Sequence, residues 1–241
     1  MKKEKGMEKK IMGLKVEPSK NNVIFKNEYD AVVFDMDGVI FDSERATMYC
    51  WLELAEKYGI ENIEESFLTC TGTTMARTRE IMLERYGDSF PYDEYAKKAS
   101  LMYHSKYDGG RLPMKKGVIE LLTFLKDEGK KIALASSTRR QTVVGQLKDA
   151  GILDYFDAVI CGDMVEKSKP APDIFLKACE EINVLPEKTY GIEDSYNGIR
   201  AAYSGKLRPI MVPDLLPEND EMEKLAEVIL EDLLKVKDYL K

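Results

Sequence analysis

YDAVVFDMDGVIFDSE, residues 29–44, sets an apolar run, Ala31-Val32-Val33-Phe34, directly against two aspartates one residue apart, Asp35 and Asp37, with Gly38 next. The run is β-branched and aromatic, which predicts a buried strand that ends at the carboxylates. Left dry and unpaired, each carboxylate is costly, and a strand that only fills a core has no use for them. A hard divalent cation does: Mg²⁺ takes oxygen ligands from a carboxylate and a neighbouring carbonyl and keeps its other positions for water and phosphate. The competing reading is a strand closed by a polar Asp-Gly turn.

Three more runs end in the same way. Lys131-Ile132-Ala133-Leu134-Ala135 leads into Ser136-Ser137-Thr138. Residues 157–161 (DAVIC) lead into Gly162-Asp163 and then Ser168-Lys169-Pro170. Thr189-Tyr190-Gly191-Ile192 leads into Glu193-Asp194-Ser195. Between them lie helical patterns. Val118, Leu121, Leu122 and Leu125 recur at helical spacing, with Gly129 placed to end that helix, and residues 141–150 and 173–182 read likewise. Alternation of strand and helix predicts an α/β fold with a doubly wound, mostly parallel sheet. Ligands bind such sheets outside the carboxyl ends of the strands, where Asp35, Ser136 and Asp194 fall, with Lys169 on the loop beyond. Each has a simpler reading: Ser136 as a helix cap, Lys169 as a solvated charge, Glu193-Asp194 as the acidic start of a helix. Those readings have to hold together at four strand ends.

These segments, DMDGVIFDSE, ALASS, SKPAPDIF and GIEDSYNGIRAA, resemble in order the four motifs of the haloacid dehalogenase superfamily of phosphoryl-transfer enzymes. More narrowly, the chain resembles the subgroup of β-phosphoglucomutases and small-metabolite phosphatases. The resemblance runs from about residue 29 to about residue 213. It implies a Rossmann-like core with a small α-helical cap inserted after the first strand. It also implies that Asp35 is the nucleophile of an aspartyl-phosphate intermediate and that Asp37 is the general acid and base. Ser136 and Lys169 then face the phosphoryl oxygens, with Met36, Gly38 and Ser137 as further phosphate-binding positions. Mg²⁺ is implied at the Asp35 side chain, the Asp37 carbonyl and Asp194, with Glu193 behind them. Dehalogenases attack carbon and need no acid for a leaving alcohol, so Asp37 points to phosphoryl transfer.

The resemblance leaves two activities to separate. In β-phosphoglucomutases it implies a histidine twelve residues after the nucleophile and a cap arginine for a distal phosphate. The corresponding residue here is Thr47, and the chain has one histidine, His104, elsewhere in the cap segment. Met75 aligns with the arginine unless a two-residue slip brings Arg77 there. Thr47, Thr73 and Arg77 are therefore the cap specificity candidates, and the expectation is a Mg²⁺-dependent phosphatase for a small, sugar-phosphate-like metabolite. The alternatives are a phosphosugar mutase and, from another class, a catalytically silent binding protein on the same fold.

The 241 residues and 27.5 kDa suit one α/β core plus one modest insertion. The expected core is residues 29–42 and 111–241, and the expected cap is residues 43–110, closing over the site to exclude water and select substrate. Helical patterns in the cap cover Met48-Trp51-Leu52-Ala55, 74–86 and 91–107, with hinges near 41–43 and 109–113. A last amphipathic helix is expected over 220–239. Residues 1–28 carry eight lysines against four glutamates and read as a mobile extension; no apolar stretch follows the charges, so no signal peptide is expected. The net charge of −7 argues against nucleic acid, and no run is long enough to span a membrane. Four cysteines without Cys-x-x-Cys spacing read as free cytosolic thiols. A cytoplasmic monomer is expected.

Overall fold

The computed structural model describes residues 28–241 except Gly72 and Thr74; the mobile extension expected before residue 28 lies outside the described residues. Six parallel strands form one sheet: β1 (Ala31–Phe34), β2 (Lys131–Ser136), β3 (Ala158–Cys161), β4 (Thr189–Glu193), β5 (Arg208–Met211) and β6 (Val228–Ile229), in the order β3-β2-β1-β4-β5-β6. Helices α5 (Val118–Asp127), α6 (Arg140–Asp149), α7 (Asp173–Glu181), α8 (Tyr196–Ser204) and α10 (Leu233–Leu240) cover both faces. The period-two geometry of a strand divides β1 between them. Val32 and Phe34 join the cluster that holds Leu121, Leu147 and Val236, whereas Ala31 and Val33 join the one that holds Phe175 and Ala202. Burial on both sides explains why the strands read as continuous apolar runs rather than alternating ones.

Residues between β1 and α5 form four helices, α1 (Ser43–Tyr58), α2 (Ile63–Cys70), α3 (Met75–Tyr86) and α4 (Tyr92–Tyr107), that bury a cluster of their own. Trp51 is its centre, with the rings of Phe67 and Tyr95 edge-on at 5.3 and 5.4 Å. His104 is exposed on α4 and pairs with Asp108. The segments that enter and leave this unit lie side by side. Phe41 bridges Met114 antiparallel, Asp42 N–H donates to the Pro113 carbonyl at 2.9 Å, and Lys115 N–H donates to the Ile40 carbonyl at 2.9 Å.

The single helix expected over residues 220–239 is not formed. A short α9 (Met222–Leu225) is followed by β6 on the open edge of β5, and then by α10. The β-branched pair Val228-Ile229 satisfies its backbone against β5, and Asp232 starts a new helix by accepting the Lys235 N–H at 3.0 Å.

Candidate active site

Parallel register sets Phe34 level with both Leu134 and Ile192, so the residues just beyond β1, β2 and β4 meet on one rim. The strand order reverses here, with β2 and β3 on one side of β1 and β4 to β6 on the other, and the crevice opens where the crossovers part. A cavity of about 520 Å³ lies over the rim, with Asp35, Asp37, Lys169 and Asp194 on its core side.

Lys169 forms the floor. Its Nζ donates to Asp35 Oδ1 at 2.5 Å, Glu193 Oε1 at 2.6 Å and the Ala135 carbonyl at 3.0 Å, and all three side chains in this triad are buried. Burial works against the ammonium, but Asp35 and Glu193 hold its pKa above the ordinary lysine value, so it stays charged. Burial pushes the Asp35 carboxyl well above the usual carboxylate range; Lys169 opposes this, and Glu193 and Asp37 add to it. Asp194 is pushed up in the same way, by burial first and then by the charges of Glu193, Asp35, Glu44 and Asp214.

Asp35, Glu193 and Asp194 each bring a carboxylate oxygen to within 4.8 Å of the others. Glu193 is engaged at both ends, by Lys169 and by the Ser195 hydroxyl at 3.0 Å, which leaves Asp35 and Asp194 as the less committed carboxylates of the three. An all-oxygen donor set, with more negative charge than Lys169 balances, fits a hard divalent cation. Gly38 permits this arrangement. It sits at φ 85°, and a Cβ there would overlap the Asp194 carboxylate, 2.6 Å from Cγ. Gly198 does the same for Glu193, whose carboxylate occupies the space a Cβ would fill.

Asp37 lies in the same cavity and is held by two hydroxyls. Ser43, at the start of α1, donates to Oδ1 at 2.7 Å, and Thr138, just beyond β2, donates to Oδ2 at 2.9 Å. Neither residue is among the sequence-derived candidates, although Ser43 lies within the first quoted motif and Thr138 directly follows the second. Ser136 is fully buried. Its Oγ accepts the Thr138 N–H at 3.1 Å and lies 3.5 Å from Asp37, and the residues that line the cavity are instead Ser137 and Thr138. Met36 packs into the core. The Gly38 N–H is taken by the Phe41 carbonyl at 2.9 Å, so it is not available to an anion. The N–H groups of Met36 and Asp37 have no backbone acceptor among the described residues.

From the inserted helices, Thr47 and Thr73 line the cavity, and their hydroxyls donate to the Ser43 and Cys70 carbonyls at 2.9 and 2.7 Å. Arg77 does not line it. Its guanidinium pairs along α3 with Glu80 at 2.9 Å and Glu84 at 3.2 Å, as i+3 and i+7 acids on one helix face allow. Glu44, Thr71, Tyr103, Thr142 and Gln146 line the cavity without having been anticipated. Burial, followed by the Asp37 and Asp214 charges, pushes the Glu44 carboxyl up to about 7.

Comparison with known proteins gives the family and agrees with the fold. The family described as haloacid dehalogenase-like hydrolase matches residues 32–212, from β1 to just past β5. A phosphorylated carbohydrates phosphatase of Thermotoga maritima is 32% identical over 181 residues, covering 75% of this chain and 83% of the relative. A β-phosphoglucomutase of Bacillus subtilis is 32% identical over 201 residues, covering 77% of this chain and 88% of the relative. The crystal structure of CbbY from Rhodobacter sphaeroides in complex with phosphate aligns with a TM-score of 0.66 at 26% identity, over 86% of this chain and 96% of that one. A six-stranded parallel sheet, its carboxylates and lysine gathered on one rim, and a family match across three quarters of the chain lead to one assignment: this protein belongs to the haloacid dehalogenase-like hydrolases.

Proposed function

We propose that the chain is a Mg²⁺-dependent phosphatase that hydrolyses a small, sugar-phosphate-like metabolite through an aspartyl-phosphate on Asp35. The observation that carries this reading is the second carboxylate: Asp37, clasped by Ser43 and Thr138, stands beside Asp35 in the cavity. A departing alkoxide needs a proton donor, and the reading gives that role to Asp37.

In the first half-reaction an Asp35 oxygen attacks phosphorus, the ester P–O bond breaks, and Asp37 gives its proton to the departing alkoxide. In the second, ionised Asp37 takes a proton from water, the resulting hydroxide attacks phosphorus, and inorganic phosphate leaves Asp35. Two moderate barriers replace one very high one. Lys169 supplies fixed positive charge, and the N–H groups of Met36 and Asp37 supply donors for the phosphoryl oxygens as charge shifts among them. Asp35, Asp194 and the Asp37 carbonyl would hold Mg²⁺, with Glu193 locking Lys169 behind them. When bound, the ion offsets the charge between an anionic nucleophile and an anionic substrate.

Hydrolysis is favoured over phosphosugar exchange by the wall of the cavity away from Lys169. Thr47, Thr71, Thr73, Tyr103, Thr142 and Gln146 form it, and no second lysine or arginine lines it among the described residues. A mutase has to retain a bisphosphate, which this neutral wall does not anchor. The reading also makes the enzyme a cytoplasmic monomer without a nucleic-acid or membrane partner. Free, buried cysteines support the cytoplasmic part of this reading.

The test is phosphate release from sugar phosphates, polyol phosphates and nucleotides, with and without Mg²⁺. Release is expected to require Mg²⁺, and Asp35→Asn is expected to abolish it with the fold intact; a variant that keeps more than about one per cent of turnover rejects the nucleophile. From β-glucose 1-phosphate with a bisphosphate primer, free phosphate is expected to outpace glucose 6-phosphate by about 10–100-fold, the equivalent of one missing charge-assisted hydrogen bond. The reverse ratio identifies a mutase.

A further inference from the structure

Asp214 follows β5 on the same rim as Asp194, one strand over: Val212 N–H donates to the Glu193 carbonyl at 2.7 Å, and Asp214 is two residues farther on. Its side chain is 1% exposed. One oxygen is fully used, because Oδ1 accepts Lys115 Nζ at 2.6 Å and Arg45 Nη2 at 3.2 Å. The other, Oδ2, is buried without a hydrogen-bond partner among the described residues. A carboxylate is symmetric, so no side-chain flip removes this orphan, and an unsatisfied buried anionic oxygen is among the costlier defects a fold can carry. The charge of Asp214 is felt by two residues of the cavity, Asp194 and Glu44. Glu44 is the helical neighbour of Arg45, the residue that reaches Asp214. Acidic side chains from α1 and from the loops after β4 and β5 therefore converge with an acceptor left over and no protein donor for it.

We infer that Asp214, with Glu44 beside it, accepts hydrogen bonds from water bound to the divalent cation held at Asp35 and Asp194. The inference rests on the metal site proposed above. Mg²⁺ demands near-octahedral coordination and gives up water reluctantly, so several of its positions stay hydrated. Water on a dication is a strengthened donor, and a buried anionic oxygen with no other partner matches it. Arg45 and Lys115 pin Oδ1, which fixes where Oδ2 points. Asp214 is thus a positioning residue that acts through water rather than on the substrate.

Cation binding to the full chain tests this, with Mg²⁺ followed by isothermal titration calorimetry and Mn²⁺ by its EPR and water-proton ENDOR signals. Asp214→Asn is expected to raise the Mg²⁺ dissociation constant by about 10–100-fold and to alter the water-proton couplings. Glu44→Gln is expected to change both in the same direction by less. Asp42→Asn removes a negative charge from the same Arg45 and Lys115 pair but no orphan oxygen, and is expected to stay within about threefold of wild type. If wild type binds no cation, or Asp194→Asn binds as wild type does, the metal site itself fails. If Asp194→Asn abolishes binding but Asp214→Asn does not weaken it, the inference about Asp214 alone is overturned. An Asp42→Asn loss as large as that of Asp214→Asn overturns it too. Should Asp214→Asn not fold, unchanged Mg²⁺ affinity in Glu44→Gln is enough to reject it.

Discussion

Gly38→Ala adds one methyl group and removes no ionisable atom, so it isolates the placement of Asp194. Gly38 has φ 85°, a left-handed backbone that costs an ordinary L residue about 1–2 kcal/mol. The added Cβ would fall 2.6 Å from Asp194 Cγ, about 1 Å inside an ordinary carbon–carbon contact. Either the Asp194 carboxylate or the 36–41 turn has to give way by that distance, which in a packed site costs a further ~1–3 kcal/mol. The variant is therefore expected to lose about 2–5 kcal/mol of stability. Mg²⁺ tolerates little departure from octahedral geometry, and a 1 Å misplacement of reacting groups costs about 10²-fold in rate. Phosphate release titrated with Mg²⁺ should show a half-saturating concentration raised at least about tenfold and turnover down about 100-fold at saturating metal. Denaturant unfolding in EDTA gives the stability term separately. A folded variant with wild-type Mg²⁺ dependence and turnover would refute the placement of Asp194 against Gly38 as a determinant of the site.

Lys169→Met removes the cation shared by Asp35 and Glu193. It should cost about 3–5 kcal/mol at pH 8 by leaving buried carboxylates unpaired, and about 10²–10³ in turnover; urea melts at wild-type stability would contradict the triad. The metal-free protein should also lose stability as pH rises from about 4.5 to about 7. Glu44 has a folded-state pKa of about 7 against an ordinary value of 4.5, so across this window the folded chain keeps a proton that the unfolded chain has released. The contribution is complete below the lower value and lost through the upper one, amounting to roughly 3 kcal/mol. Asp35 and Asp194 act in the same direction, so the quantity to measure is the difference between wild type and Glu44→Gln in EDTA; a pH-independent difference would rule out a half-buried, proton-holding Glu44.

The parts of this fold that depend on local sequence were readable in advance. Strands β1 to β4 are apolar runs that stop at polar clusters, and parallel pairing carries those clusters to one rim without further instruction, whereas β5 and β6 carried no such signal. What escaped reading depends on packing between distant segments. The hydroxyls of Ser43 and Thr138 meet at Asp37 only because α1 begins over the end of β2. Helix α2 spans two turns, too short for a periodicity to stand out. The C-terminal pattern was consistent with one helix until the vacant edge of β5 claimed Val228 and Ile229. Arg77 was within a plausible slip of the site by sequence, but Glu80 and Glu84 on its own helix compete for it. Asp214 had no motif around it, and its interest lies wholly in a buried oxygen that only three dimensions reveal.

The antiparallel pairing of the two segments that enter and leave the helical insertion has an evolutionary and practical consequence. Because Phe41 faces Met114 and Asp42 is bonded to Pro113, residues 43–110 begin and end at neighbouring points on the same short ribbon. The insertion is in effect a cassette with adjacent terminals. A change in length beyond the first turn of α1 leaves the path of every core strand unaltered, while Ser43 stays on Asp37 and Arg45 on Asp214. Grafts placed after that first turn are expected to change the far wall of the cavity, where Thr71, Thr73 and Tyr103 stand, and to spare the residues that hold Asp37.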